Sequence, residues 1–143
     1  MKNLRYLILL LPFWFASCTS TPVEVVEETY SDSIAKTVKI YKDETKEILL
    51  KEIQYYESGQ KKMEGAYKDD ERTGQWSYWY ADGKLWSQGE YTKGIENGLK
   101  TIWHANGQKY YEGHLKMGER IGLWKFWDEE GALIKEIDYD NPN

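Results

Sequence analysis

Residues 76–91 read WSYWYADGKLWSQGEY, with six aromatic rings in sixteen positions. That density suits a surface on which a ligand stacks as well as it suits a fold writing its own core. The glycines around it decide the fold. Gly59, Gly83, Gly107 and Gly131 stand 24 residues apart, and Gly65, Gly89 and Gly113 keep the same interval, as do Gly74, Gly98 and Gly122. Tyr55, Trp79, Trp103 and Trp127 form an aromatic column on that ruler, and Tyr67, Tyr91, Leu115 and Tyr139 form another. Glycines and rings held in one register mark a tandem repeat of a single supersecondary unit.

Each unit reads as a β-hairpin. The turns are ESGQ, ADGK, ANGQ and EEGA; the Asp82/Gly83 and Asn106/Gly107 pairs predict tight turns with positive backbone φ. Segments such as QWSYWY and LWSQGEY favour strands. The links KDDERTG and TKGIENG are polar and glycine-bearing, so they are turns. Residues 36–54 form a degenerate leading unit with alternation in TVKIY. The run KEILLKEI fits a short helix by spacing but a strand by repeat alignment. The expectation is an all-β chain of tandem antiparallel hairpins over residues 36–143, forming one elongated twisted sheet.

With an even number of residues in each turn, alternation places Trp76, Tyr78, Tyr80, Leu85, Gly89, Tyr91, Ile102, Tyr111, Leu115, Trp124, Phe126, Leu133 and Tyr139 on one apolar face. Trp79, Trp103 and Trp127 then lie on the other, with the polar column Glu64, Gln88, Glu112 and Glu136. Trp76 falls opposite Gly89 and Trp124 opposite Ile137, so a ring can cover the backbone that glycine leaves bare. Trp79, Trp103 and Trp127 recur because the fold needs them. Equivalent strands lie two strand spacings apart, about 10 Å, with the intervening strand filling the gap.

Units of the form YYESGQKKMEGAYKDDERTGQWSYWY resemble MORN-type repeats, over roughly residues 52–140. The last unit departs, with Ile137 in place of the second glycine, as a capping repeat does. The resemblance implies a row of antiparallel hairpins with scaffolding and protein-binding roles, and bacterial members of the variant often carry an antitoxin label.

The leader MKNLRYLILLLPFWFASC has Lys2 and Arg5 before an apolar run that is too short to span a membrane and is interrupted by Pro12. Its FASC segment resembles a bacterial lipobox, with Phe15 where the family prefers Leu. This predicts a lipoprotein signal peptide over residues 1–17 and lipidation at Cys18. Two or three acyl chains there would anchor the protein stably, and Thr19 favours the outer membrane where the cell has one. Residues 18–35, with four carboxylates between Thr19 and Ser33, predict a flexible acidic tether.

The full chain has 19 Lys and Arg against 24 Asp and Glu; without Lys2 and Arg5 the balance is 17 to 24, a net of −7. Such charge argues against nucleic acid and favours a basic protein partner. No enzyme, cofactor or metal site is indicated. His104 and His114 occupy different columns, and the paired carboxylates at 69–71 and 128–130 lie in or beside turns. The expected function is a membrane-anchored envelope lipoprotein that binds protein through an aromatic face, with Trp76, Tyr78, Tyr80, Trp86, Tyr110, Tyr111 and Trp124 as candidates. Two alternatives are an immunity or antitoxin role against a basic toxin, and glycan stacking on Trp86 and Tyr110, whose column otherwise holds Lys62 and Ile134.

Overall fold

The computed structural model describes residues 21–31 and 33–141; the predicted signal peptide and Cys18 lie outside them. Ten strands follow one another: β1 (Val23–Ser31), β2 (Ile34–Tyr41), β3 (Leu49–Tyr55), β4 (Lys61–Lys68), β5 (Glu71–Trp79), β6 (Leu85–Thr92), β7 (Ile95–Trp103), β8 (Lys109–Lys116), β9 (Glu119–Trp127) and β10 (Leu133–Asp138). They pair in strict sequence order, all antiparallel, in one open sheet. This is the predicted all-β row of hairpins, and KEILLKEI resolves as strand β3.

The acidic stretch expected to be a tether is instead largely β1, and Ile34 and Ala35 already belong to β2. An edge strand takes its backbone hydrogen bonds from its single neighbour, so it needs less apolar periodicity than an interior one. The carboxylates here also have partners: Glu28 pairs with Lys36 at 2.8 Å, and Glu27 accepts from the Tyr41 hydroxyl at 3.0 Å.

The turns at the two ends of the hairpins differ. At the glycine column, loops close through Tyr80 N–H to Lys84 O at 2.8 Å and Gly83 N–H to Tyr80 O at 2.9 Å, a pattern repeated at residues 56–60, 104–108 and 128–132. Only the glycine of each pair has positive φ, 85° at Gly83 and 94° at Gly107. Each is a three-residue loop ending in a left-handed glycine, so the even turn length assumed at Asp82/Gly83 and Asn106/Gly107 is corrected. The Asp82 and Asn106 side chains accept the backbone N–H two residues on, at 3.0 and 2.9 Å, and thereby hold their own backbone out of the left-handed region. The two-residue turns lie at the other end, at Asp69–Asp70, Lys93–Gly94 and Met117–Gly118, with positive φ at both positions. Most of the links KDDERTG and TKGIENG is therefore strand.

A recurrent bulge follows from these loops. Tyr78 faces Ser87 but Trp79 faces Leu85, leaving Trp86 as the extra residue; Lys62, Tyr110 and Ile134 are extra in the same way. Leu85 and Leu133 thus share the face of Trp79 and Trp127, and their expected place on the aromatic face is corrected. The bulge breaks the alternation on which that expectation rested.

The aromatic face carries the packing. The registers Trp76 opposite Gly89 and Trp124 opposite Ile137 are as expected, and both indoles are buried, at 0% and 1% exposure. The ring of Trp76, however, lies over Gly65 rather than Gly89. A Cβ on Gly65 would fall 2.1 Å from that indole, and one on Gly113 would fall 2.2 Å from Trp124. The indole N–H explains the direction of lean, since Trp76 donates to Ala66 O at 3.2 Å and Trp124 to His114 O at 3.1 Å. Those carbonyls follow Gly65 and Gly113, so satisfying the buried donor draws each ring back over the preceding hairpin.

The polar face is a ladder across the sheet: Glu64, Ser77, Gln88, Thr101, Glu112, Lys125 and Glu136 oppose one another in turn. Gln88 donates to Ser77 at 3.2 Å and Thr101 to Glu112 at 3.2 Å. Burial would raise the Glu64 carboxyl, but hydrogen bonds from Lys51 and Lys61 hold it below its ordinary value; the bond from Lys109 does the same for Glu112.

Candidate functional site

The units are joined by side chain to backbone bonds at the loop end. The Tyr56 hydroxyl donates to Trp79 O at 2.8 Å and Tyr80 to Trp103 O at 2.9 Å, and His104 Nε2 meets Trp127 O at 3.0 Å, which makes that nitrogen the protonated one. Tyr80 and His104 are therefore splices between units. His104 takes the place that Tyr56 and Tyr80 hold in the preceding units.

Of the seven candidate binding aromatics, Trp76 and Trp124 are enclosed and cannot meet a ligand, a correction that follows from their packing on glycine. The other five stand at or near the surface. Trp86 and Tyr110 are each 44% exposed. Their place at bulges explains this, because the extra residue has no cross-strand partner and projects from the sheet. Trp86 packs against Tyr78 and Tyr80 at 6.1 and 6.2 Å, and Tyr110 against His104 and Tyr111 at 4.7 and 5.2 Å.

Between these two pairs the aromatic face opens into a cleft of about 290 Å³, lined by Tyr78, Trp86, Ser87 and Tyr91 from β5 and β6 and by Lys100, Ile102 and Tyr111 from β7 and β8. Its origin is a substitution within the repeat. In β5, Arg72 lies on the Trp76 ring at 4.1 Å; in β9, Arg120 lies on Trp124 at 4.5 Å. The equivalent positions in β7 hold Glu96 and Lys100, which form an ion pair. Lys100 occupies the place of the indole, with its Cδ 3.1 Å from where a Cβ on Gly89 would be. A narrow side chain in a tryptophan position leaves space, and that space is the cleft.

The pair is partly sheltered, with Lys100 and Glu96 side chains 15% and 28% exposed. The Tyr91 hydroxyl donates to Glu96 at 3.1 Å, and burial, reinforced by the Glu96 charge, pushes its pKa up to about 12. Sequence reasoning missed Glu96 and Lys100. The signal was present: the column Arg72, Glu96, Arg120 reverses charge in the unit where Trp76, Lys100, Trp124 loses its ring.

A larger hollow of about 410 Å³ lies on the polar face around Lys51, Glu64, Gln75, Ser77 and Gln88. Its groups already serve one another, as in the Lys51–Glu64 pair at 2.9 Å. Among the described residues, no three His, Cys, Asp or Glu side chains gather as a metal site.

Residues 50–69, 72–93 and 120–141 match the family described as MORN repeat variant. These are the β3–β4, β5–β6 and β9–β10 hairpins; the matches leave out residues 94–119, which carry Glu96 and Lys100. These three hairpins are thus similar to MORN-type repeats, a module often involved in binding. No curated protein matches it. A solved structure, "Crystal Structure of TarM", is similar over 87% of this chain at 13% identity and a TM-score of 0.33, and this chain spans 21% of that one.

Proposed function

We propose that this protein is a non-catalytic binding module that docks a protein partner on its aromatic face and is held at the cell envelope, in the outer membrane where there is one, by lipidated Cys18. The observation carrying this reading is the pair of bulge rings, Trp86 and Tyr110, each 44% exposed on a sheet whose other tryptophans are more enclosed. Exposed tryptophan and tyrosine on a rigid scaffold are the side chains that dominate binding energy at protein interfaces. They also cost little conformational entropy to immobilise.

The test is photo-crosslinking in intact cells from a probe residue at Lys84 beside the loop, comparing the native chain with a Trp86→Ala, Tyr110→Ala double variant. One discrete adduct that disappears in the double variant is expected. An unchanged adduct, or none, would overturn the reading. The net charge of −7 left without Lys2 and Arg5 favours a basic partner, in which case an immunity role predicts protection against a basic toxin. Coexpression with toxins encoded beside the gene reads that directly.

A further inference from the structure

We infer that the cleft beside Trp86 binds a neutral saccharide chain, with Lys100 and, at the edge of the cleft, its partner Glu96 engaging neighbouring hydroxyls of one sugar ring and Trp86 stacking on its apolar face. This goes beyond the protein-docking reading: it shares Trp86 and Tyr110 with that reading and adds Lys100 and Glu96, which docking does not need.

Charge selects the ligand class. An isolated Lys100 would favour an anion and an isolated Glu96 a cation. As a pair they cancel, while the chain as a whole repels anions with its net charge of −5. Hydrogen-bonding capacity then selects the chemistry. Lys100 has three N–H donors, of which Glu96 Oε1 takes one; that oxygen also accepts from Tyr91, which leaves Glu96 Oε2 as an acceptor beside free ammonium donors. Adjacent donor and acceptor match the adjacent hydroxyls of a pyranose, each of which can give one hydrogen bond and take another. The rings of Tyr78, Trp86 and Tyr111 supply the flat apolar contact that the C–H face of a sugar requires.

Repeat geometry extends the site from one sugar to a chain. Trp86 and Tyr110 are equivalent bulge residues of successive units, and equivalent positions lie about 10 Å apart across two strand spacings, roughly the length of a disaccharide. The cleft of about 290 Å³ lies between them and has the size of the smallest ligand sites. Flanking units cannot repeat the grip, because Trp76 and Trp124 fill the same place.

The experiment uses the full chain in detergent, titrated with cellohexaose, maltohexaose, xylohexaose, chitohexaose and, as a charged comparison, hexagalacturonate, read by tryptophan fluorescence and calorimetry. At least one neutral hexasaccharide is expected to saturate and to bind more tightly than its disaccharide. Lys100→Met and Trp86→Ala should each weaken it about tenfold or more, the loss expected of a hydrogen bond to a charged group or of a stacked ring. Glu136→Gln on the polar face should leave binding unchanged, and melting curves check that each variant is folded. Absence of saturation with every neutral sugar, equal binding by Lys100→Met, or tighter binding of hexagalacturonate would overturn the proposal. A Trp86-dependent crosslink to protein that persists in Lys100→Met while all sugars fail would remove this inference and leave the docking reading standing.

Discussion

The β5–β6 and β9–β10 hairpins and the β7–β8 hairpin between them share one backbone design but use it differently. The outer two bury an indole on glycine and lay a guanidinium on the indole's outer side, through Arg72 and Trp76 and through Arg120 and Trp124. The middle one sets an ion pair, Glu96 and Lys100, in the same two positions and leaves a cleft. Because each unit packs only against its neighbours in the row, one unit can give up packing for a site while the others hold the sheet.

The largest expected effects lie in the outer hairpins. Trp76→Ala and Trp124→Ala should each cost about 3–5 kcal/mol in urea unfolding, because a fully buried ring leaves a cavity the open sheet cannot refill. Gly65→Ala should approach the same loss, since its Cβ would meet the Trp76 ring at 2.1 Å and force it out. Gly89→Ala meets only flexible side-chain ends, Lys100 Cδ at 3.1 Å and Glu96 Oε1 at 3.3 Å, and should cost under about 1 kcal/mol. Equal costs at Gly65 and Gly89 would contradict the assignment of ring to glycine.

Next comes conversion of the middle hairpin to the outer pattern. Glu96→Arg with Lys100→Trp should fold, raise the melting temperature by a few degrees and abolish ligand binding at the cleft. Exchange of a partly buried ion pair for a packed ring is neutral or stabilising by about 1–4 kcal/mol. Loss of folding would mean that the cleft position does not accept the outer design.

Tyr91 provides a pH test of the same cleft. Its pKa is raised to about 12 in the folded state, so the neutral phenol contributes stability that is fully present below the unfolded value and is lost as pH rises through about 12. Tyr91→Phe should flatten the alkaline limb of the stability curve above about pH 10, the unfolded tyrosine value. Absorbance at the phenolate band should show one fewer high-pH step.

The smallest effect belongs to the polar ladder. Glu112→Gln should cost under about 1 kcal/mol at neutral pH. Its carboxyl is held below the ordinary range by Lys109, so its contribution is present above the unfolded value and fades as pH falls through the lower folded one. Thermal melts of the variant and the native chain should converge in acid.

Much of this was legible from residues alone, and the failures share a cause. Alternation assigned Trp76, Tyr78, Tyr91 and the ladder from Glu64 to Glu136 correctly, because those residues sit in regular strand. It misplaced Leu85 and Leu133 where the bulges at Trp86 and Ile134 add a residue. It could not tell that Trp76 leans toward Gly65, since register names the opposing residue but not the carbonyl that receives the indole N–H. The edge strand β1 escaped notice because its stability comes from β2 rather than from its own pattern.

The 24-residue spacing was enough to establish hairpins, their order and the columns, since period and backbone preference are properties of the chain read along its length. Which rings are enclosed, which project, and that Glu96 and Lys100 meet in a space left by a missing indole depended on packing between strands. There the lean of a side chain is settled by partners that belong to another hairpin.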